Sequence, residues 1–197
     1  PMVPMSPYGA AKLYSYALAR IYRDAYGMYV SNGILFNHES PRRGKNFVTK
    51  KAVIGVVKCL KDPNHVLYMG NLDALRDWGH AKDYVEGMHK ILQHEKPDDF
   101  VLATGKTYTI RYMLETAFAV AGKTIHWEGS GLEERGYIDG NRCVIKIDSR
   151  YFRPLEVNIL KGNPTKVKET LGWEAKYTFD ELIKEMVEEE IYSAGGV

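Results

Sequence analysis

Hydrophobic and polar positions along the chain follow two periods, one helical and one strand-like. Apolar residues three and four apart predict amphipathic helices at 7–26, 46–60, 83–93, 109–121, 163–171 and 179–192. Short runs rich in β-branched and aromatic residues predict buried strands at 28–36 and 100–103, with shorter strands at 66–69, 124–127 and 144–147. The polar, glycine-rich stretch 128–141 is expected to be a mobile loop. Helix, short turn and strand in succession are typical of an α/β protein with a parallel sheet.

The apolar positions also predict which helical faces pack inward. In the first helix they are Leu13, Tyr16, Ala17 and Ile21, and in the third they are Tyr84, Val85, Met88 and Leu92. Ser6 and Pro7 are expected to start the first helix, and Gly27 to end it.

Composition places the chain among ordinary soluble globular proteins. Of its 197 residues 45% are hydrophobic and 26% charged, with a net charge of +2, so neither a nucleic-acid surface nor a membrane surface is indicated. Cys59 and Cys143 are isolated, and the six histidines show no ligand spacing, so we expect no structural metal. Two separate thiols favour a reducing, cytoplasmic location. The chain begins at Pro1 without an initiator methionine, and we expect it to be the later part of something longer.

A basic cluster nevertheless stands out, formed by Arg42, Arg43, Lys45, Lys50 and Lys51. In a near-neutral chain it favours an anionic small molecule, although a solvated basic loop is the alternative. The cluster begins in the segment 37–44, which leaves a predicted strand at the sheet edge where α/β proteins bind ligands. Adjacent arginines on a loop flanked by proline and glycine suit a phosphate. Taken without context, His38 in this segment favours a structural role.

Tyr8 and Lys12 lie one helical turn apart in the sequence Ser-Pro-Tyr-Gly-Ala-Ala-Lys. A cation beside a phenol favours the phenolate, so Tyr8 is a candidate general base. The spacing alone is weak evidence, because about one such pair is expected by chance in a chain of this composition.

Five sequence blocks together carry a family resemblance. They are 6–12, 32–44 (Asn-Gly-Ile-Leu-Phe-Asn-His-Glu-Ser-Pro-Arg-Arg-Gly), 46–49 (Asn-Phe-Val-Thr), 76–85 (Arg-Asp-Trp-Gly-His-Ala-Lys-Asp-Tyr-Val) and 151–157 (Tyr-Phe-Arg-Pro-Leu-Glu-Val). In order and spacing the chain resembles the extended short-chain dehydrogenase/reductases that act on nucleotide sugars, and among them the GDP-mannose 4,6-dehydratase family. The resemblance implies the C-terminal two-thirds of such a protein. The implied fold is the C-terminal part of a Rossmann-type doubly wound parallel sheet with a smaller α/β substrate-binding domain.

The resemblance also implies roles for particular residues. Tyr8 would be the catalytic base and Lys12 its electrostatic partner, and both would contact the cofactor NADP together with His38 and Arg43. The wall around GDP-mannose would comprise Asn37, Val48, Lys51, Gly70, Arg76, Arg153 and Glu156. The loop Ser40–Arg43 would reach a neighbouring subunit in a homotetramer.

The implied reaction is redox-neutral overall. Hydride leaves C4 of the mannosyl group for NADP, water is lost across C5–C6, and the hydride returns to C6, which gives GDP-4-keto-6-deoxy-mannose. The implied domains interleave: 1–45 and 75–105 complete the NADP-binding domain, and 46–74 and 106–197 form the substrate domain.

Two expected motifs do not occur in these residues: a glycine-rich phosphate loop and a Thr-x-Glu segment before the first helix. If these 197 residues were the entire polypeptide, the site would be incomplete. Two alternatives therefore remain open at the level of sequence. One is another nucleotide-sugar epimerase or reductase of the extended family, and the other is a non-catalytic fragment that binds a GDP-sugar.

Overall fold

The computed structural model describes residues 2–152 and 157–196. Its helices are α1 (Pro7–Tyr26), α2 (Val48–Lys61), α3 (Ala81–Gln93), α4 (Ile110–Val120), α5 (Thr165–Leu171) and α6 (Phe179–Ser193). Its strands are β1 (Gly33–Leu35), β2 (Asn37–Glu39), β3 (Leu67–Met69), β4 (Leu75–Arg76), β5 (Trp78–His80), β6 (Phe100–Leu102), β7 (Tyr108–Thr109), β8 (His126–Glu128), β9 (Arg135–Ile138), β10 (Arg142–Ile147) and β11 (Ile159–Leu160). Across these residues, none of the helices combines the length and apolar character that crossing a bilayer demands.

Local signals at the helix ends account for the helix boundaries. The Ser6 hydroxyl accepts a hydrogen bond from the Gly9 N–H, and Gly27 ends α1 with a positive φ of 62°, which glycine adopts without strain. The Thr109 hydroxyl caps α4 in the same way. Thr178 and Glu181 form a reciprocal capping box at the start of α6. The predicted starts and stops of these helices are confirmed.

Parallel pairing supports the α/β prediction. β1 pairs in parallel with β6, and β2 pairs in parallel with β5. Only Phe36 lies between β1 and β2, so one extended segment pairs first with β6 and then with β5. A mixed four-stranded sheet has the order β3–β10–β9–β8, and a three-stranded sheet has the order β11–β4–β7. Helices between parallel strands supply the crossover connections that such pairing requires.

The prediction of an unstructured loop at 128–141 is wrong. A 3₁₀ turn covers Gly131–Glu133, and β9 then pairs antiparallel with both β8 and β10. The hairpin between β9 and β10 turns at Asp139 and Gly140, whose φ values are 51° and 87°. Aspartate and glycine tolerate this left-handed region, which is why tight hairpins favour them.

Two hydrophobic clusters form the core of the described residues. The larger lies between α2, α4, α6 and the four-stranded sheet, and it includes Trp78, whose ring stacks on Phe179 at 5.4 Å between centroids. The smaller comprises Tyr84, Ile91, Phe100, Leu102, Val167 and Trp173. Cys59 is buried in the larger cluster, as its apolar pattern predicted, and burial raises the pKa of its thiol to about 11.

Two burial predictions are wrong. No residue of α1 is buried, and Ile21 on its predicted inner face is 57% exposed. The strand predicted at 28–36 is shorter and only partly covered. An apolar face in a sequence indicates that something should cover it, but not that the cover lies within these residues.

The prediction for the inward face of α3 is half right. Tyr84 is buried and Met88 packs against the smaller cluster as predicted, whereas Val85 and Leu92 are exposed and Ile91 belongs to the buried stripe instead. Gly87 lies on the buried stripe, and a Cβ there would come within 2.9 Å of Leu102. The absence of a side chain at position 87 lets α3 approach β6 closely, which selects this face.

Candidate active site

Tyr8 and Lys12 form the predicted pair in the first turns of α1. The Lys12 ammonium lies 5.8 Å from the centroid of the Tyr8 ring, within the range of a cation–π contact. Tyr8 is 73% exposed, so its hydroxyl lies on an open surface of the described chain. The geometry therefore places a cation beside an accessible phenol.

An ion-pair network at the far end of α1 attaches this helix to the sheet. Arg23 bonds to the Asp99 carboxylate at 2.9 Å, and the Asn32 amide donates to the same carboxylate at 2.9 Å. Burial acts to raise the pKa of Asp99, but the hydrogen bonds from Arg23 and Asn32 hold it below its ordinary value. Because α1 has no buried residue, these polar contacts carry much of its attachment within the described chain.

The segment that leaves β2 carries several of the predicted residues. Asn37 donates its side-chain amide to the Asp77 carbonyl at 3.1 Å. The His38 Nδ1 lies 2.8 Å from the Phe36 carbonyl, and its ring stacks on Tyr84 at 5.1 Å between centroids. Since a carbonyl only accepts, Nδ1 carries the proton in the neutral ring and Nε2 is left as an acceptor. Within the described residues, His38 thus makes its structural contact through Nδ1.

Glu39 ends β2 and is almost fully buried, with 2% of its surface exposed. Its carboxylate oxygen Oε2 lies 3.1 Å from Nε of Arg43, and the Arg43 guanidinium stacks on the Phe47 ring at 3.6 Å. Burial raises the pKa of Glu39 to about 7, against the opposing effects of Arg43 and Thr49. The sequence identified this glutamate only as one polar group among several, because burial cannot be determined from its position alone.

The raised pKa predicts a stability change with pH. Between pH 4.5 and about 7 the folded state binds more protons than the unfolded state, so the free energy of unfolding falls as pH rises through that window. For this single group the fall is about 3 kcal/mol. We expect Glu39→Gln to abolish this component, so that between pH 5 and pH 8 the wild type loses about 2–3 kcal/mol of unfolding free energy relative to the variant.

Urea denaturation at the two pH values measures this difference. Glu188→Gln, on the exposed face of α6, is the matched control and is expected to follow the wild type. A difference that does not vary with pH would contradict the account of Glu39.

Lys51 and Gly70 are brought together around Tyr151, a neighbour that sequence reasoning quoted in a motif but did not assign to the site. The Lys51 ammonium donates to the Tyr68 carbonyl at 2.8 Å and lies 3.4 Å from the centroid of the Tyr151 ring. A Cβ on Gly70 would come within 2.6 Å of the Tyr151 carbonyl, so only glycine fits there. Burial lowers the pKa of Lys51, although Asp148 opposes the shift. Val48 lies one helical turn before Lys51, at the exposed start of α2.

Arg76 lies on β4, and its side chain reaches the segment that begins at residue 157. Its guanidinium donates to the Leu75 carbonyl at 2.9 Å and to the Val157 carbonyl at 2.6 Å. Arg153 and Glu156, the other two predicted contacts of the substrate, lie outside the described residues.

Asp77 is a structural centre that sequence reasoning missed. It is fully buried between β4 and β5, and its carboxylate accepts four hydrogen bonds of 2.7–3.2 Å. The donors are the Thr104 N–H and hydroxyl, the Gly105 N–H and the Gly162 N–H. Its carbonyl also holds Asn37. Asp77 therefore ties together two predicted substrate contacts, Asn37 and the adjacent Arg76.

The chain is similar to known proteins over nearly its whole length. The family model for GDP-mannose 4,6 dehydratase matches residues 1–186. GDP-mannose 4,6 dehydratase 2 of Caenorhabditis elegans is 52% identical over 97% of this chain and 50% of its own length. The GDP-mannose 4,6-dehydratase of Sinorhizobium fredii is 51% identical over 97% of this chain and 55% of its own length. The human GDP-mannose 4,6 dehydratase is 48% identical over 97% of this chain and 52% of its own length. The chain thus spans about half the length of these relatives, less than the two-thirds that the resemblance implied.

Solved structures support the fold class. A dTDP-glucose 4,6-dehydratase from Bacillus anthracis in complex with NAD has a TM-score of 0.79 at 19% identity and covers 99% of this chain and 55% of its own. RMD from Pseudomonas aeruginosa complexed with NADPH has a TM-score of 0.76 at 18% identity, over 95% of this chain and 56% of its own. At these identities the likeness concerns the fold alone. The predicted Rossmann-type α/β class is confirmed.

Proposed function

The chain belongs to the GDP-mannose 4,6-dehydratase family, and on that premise we propose that it takes part in converting GDP-mannose to GDP-4-keto-6-deoxy-mannose. The observation that carries this proposal is the match of residues 1–186 to the family model, supported by relatives of about 50% identity. The matched range contains the Tyr8–Lys12 pair and all five motif blocks.

Tyr8 is proposed as the base that takes the proton from the sugar O4. The Lys12 ammonium, which lies over the Tyr8 ring on the same face of α1, is proposed as its electrostatic partner. The exposure of Tyr8 lets its hydroxyl reach a substrate without a rearrangement of α1.

A nicotinamide cofactor, proposed to be NADP, supplies the chemistry of accepting and returning a hydride. Two features of the chain fit such a group. Within the described residues Arg43 meets a carboxylate only through Nε, which leaves both η nitrogens to hold a phosphate. Lys12 and the acceptor nitrogen of His38 supply a donor and an acceptor for ribose or amide groups of the cofactor.

The residues around Lys51 and Arg76 are proposed to bind the GDP-mannose. Arg76 and Lys51 supply positive charge for a pyrophosphate, and Asn37, Val48 and Gly70 complete the wall with Arg153 and Glu156. Tyr151 joins this wall because its ring holds Lys51 and its carbonyl abuts Gly70.

The remaining proposals concern organisation. The NADP-binding part is proposed to comprise 1–45 and 75–105, and the substrate part 46–74 and 106–197. The two hydrophobic clusters follow this division only in part, since Val167 and Trp173 pack with the cluster around Tyr84 and Trp78 packs with the larger cluster. A cytoplasmic homotetramer assembled through the loop Ser40–Arg43 completes the proposal.

Mass spectrometry of reaction mixtures tests the proposed function. The polypeptide produced from the complete gene is incubated with NADP⁺ and GDP-mannose, and in parallel with UDP-glucose or dTDP-glucose. We expect a product lighter by one water in the reaction with GDP-mannose and no such product from the other sugar nucleotides. An epimerised or reduced product would favour another enzyme of the extended family, and absence of any product would favour a non-catalytic sugar-nucleotide-binding role.

Replacing Arg43 tests the cofactor and assembly roles together. Arg43→Ala is expected to weaken NADP⁺ binding by about tenfold or more, because it removes a charged hydrogen bond to phosphate. It is also expected to shift the oligomer toward smaller species in sedimentation velocity. Lys184→Ala is the control, since Lys184 is an exposed cation on α6, away from this loop. A stable tetramer loaded with NADP in the Arg43 variant would refute the assignment.

A further inference from the structure

Three buried polar atoms that make no hydrogen bond of standard geometry lie close together in the fold. Within the described residues, such atoms are Glu39 Oε2, Arg43 Nε, Thr49 Oγ1, Tyr84 Oη and Arg142 Nε. The first three belong to the end of β2, the loop that follows it and the start of α2. Glu39 Oε2 and Arg43 Nε face each other as an ion pair at 3.1 Å, and Thr49 lies beside the same carboxylate. Glu39 is thus a buried carboxylate paired with the arginine of the loop that follows β2.

The position of Arg43 does not depend on Glu39 alone. The Arg43 N–H donates to the Ser40 carbonyl at 2.9 Å, which fixes the loop, and the Phe47 ring covers the guanidinium face at 3.6 Å. Glu39 approaches only the Nε edge, at 3.1 Å and without hydrogen-bond geometry. Loss of the charge on Glu39 therefore changes the electrostatics at Arg43 more than the placement of its side chain.

The charge of the pair depends on a single proton. With Glu39 ionised, Glu39 and Arg43 sum to zero, and with Glu39 protonated the pair carries +1. An anion that binds at the η nitrogens of Arg43 is attracted more strongly in the second state, and low exposure limits the screening of this effect.

We propose that Glu39 sets the strength with which Arg43 holds a phosphate group, so that binding of the anionic cofactor is coupled to uptake of a proton by Glu39. The inference rests on the proposed role of Arg43 at the cofactor. Glu39 then acts on the ligand through the charge it sets beside Arg43 and does not touch the ligand itself. By linkage, the same coupling raises the affinity of Glu39 for its proton when the anion is bound.

Several other polar groups lie near Glu39. Thr49 faces it from α2, His80 lies opposite it in the β5 register, and Tyr84 lies within electrostatic range on α3. His80 is itself bonded to Glu185 at 2.7 Å, and Lys50 of α2 is paired with Glu190 at 2.7 Å. Arg43 is the cation that acts directly on the carboxylate. Burial brings the pKa of Glu39 to about 7, where the coupling has an effect at neutral pH.

Isothermal titration calorimetry in two buffers of different ionisation enthalpy measures the proton uptake. NADP⁺ is titrated into the polypeptide from the complete gene at pH 7.5, and into its Glu39→Gln variant. The wild type is expected to take up a fraction of a proton that the variant does not. The ratio of dissociation constants, wild type over variant, is expected to rise from about one at pH 6 to about ten at pH 8.5. Because the phosphate of NADP⁺ titrates equally in both experiments, its contribution cancels in this ratio.

The outcomes separate this inference from the proposed function. If NADP⁺ does not bind, the cofactor role of Arg43 fails, and inorganic pyrophosphate then serves as the probe for the same uptake. Equal uptake by wild type and variant, or weaker binding by the variant at pH 8.5, would overturn the inference. If Glu39→Gln does not fold, Thr49→Val replaces it. This variant keeps the carboxylate but removes a group that favours its ionised form, so uptake should extend to higher pH, and unchanged uptake would count against the coupling.

Discussion

Replacing Tyr8 by phenylalanine is expected to lower the turnover of GDP-mannose by about 10²- to 10⁴-fold, the usual contribution of a positioned acid–base group. Phenylalanine keeps the ring that contacts Lys12 and removes only the hydroxyl that would take the proton. The affinity for GDP-mannose should therefore stay within a few-fold of the wild type, which places the loss in kcat.

Single-turnover kinetics with equilibrium binding of GDP-mannose make this separation. Tyr14→Phe is the matched control because Tyr14 is an exposed tyrosine on the same helix. An equal loss of binding and turnover in Tyr8→Phe would count against its assignment as the base, and full activity would eliminate it.

The second large effect is expected at Asp77. Asn at this position can present only one oxygen, so in either orientation its amide N–H₂ would face a backbone N–H group, that of Thr104 or those of Gly105 and Gly162. Buried donors without an acceptor cost about 1–3 kcal/mol each, and we expect Asp77→Asn to lower the free energy of unfolding by about 3 kcal/mol. The corresponding fall in Tm is about 6–12 °C for a chain of this size.

Asp98→Asn provides the control for Asp77→Asn. Asp98 is half exposed and forms its ion pair with the equally exposed Lys166 at 2.6 Å, so little stability should be lost. Thermal unfolding of both variants decides the matter. If both variants melt within about a degree of the wild type, the hydrogen bonds of Asp77 do not stabilise the junction of β4 and β5.

Local chemistry explains which parts of the fold could be predicted from sequence. The ends of α1 follow from Ser6, Pro7 and Gly27, whose preferences act within a few residues. The hairpin between β9 and β10 carried an equally local signal, Asp139 followed by Gly140, which the polar composition of 128–141 obscured.

Burial depended on partners distant in sequence, and there prediction failed. Ile91 rather than Val85 and Leu92 faces inward on α3 because Leu102 and Trp173 pack against Gly87 on that side. Asp77 received no role from its sequence position, because its hydrogen-bond donors come from the distant residues 104, 105 and 162. The environment of Glu39 likewise follows from its burial, which its position in the sequence does not reveal.

The residues of the candidate site fall into the same two groups, those that a local motif identifies and those that only contacts in the fold identify. Tyr8, Lys12, His38 and Arg43 were recognised because they belong to contiguous motifs, and a motif can be read without knowing the fold. Asp77 and Tyr151, which hold predicted site residues in place, act through contacts that no single motif contains. Positions 153 and 156 stay predictions of the resemblance.

GDP-mannose labelled with deuterium at C4 provides the most direct test of the account. The polypeptide from the complete gene is supplied with this substrate and NADP⁺, and the product is examined by mass spectrometry and NMR. The account predicts a product lighter by one water that carries the deuterium at C6, because the hydride is returned within one active site. A product that keeps its oxygen and its deuterium at C4, or one whose deuterium is lost to solvent, would contradict it.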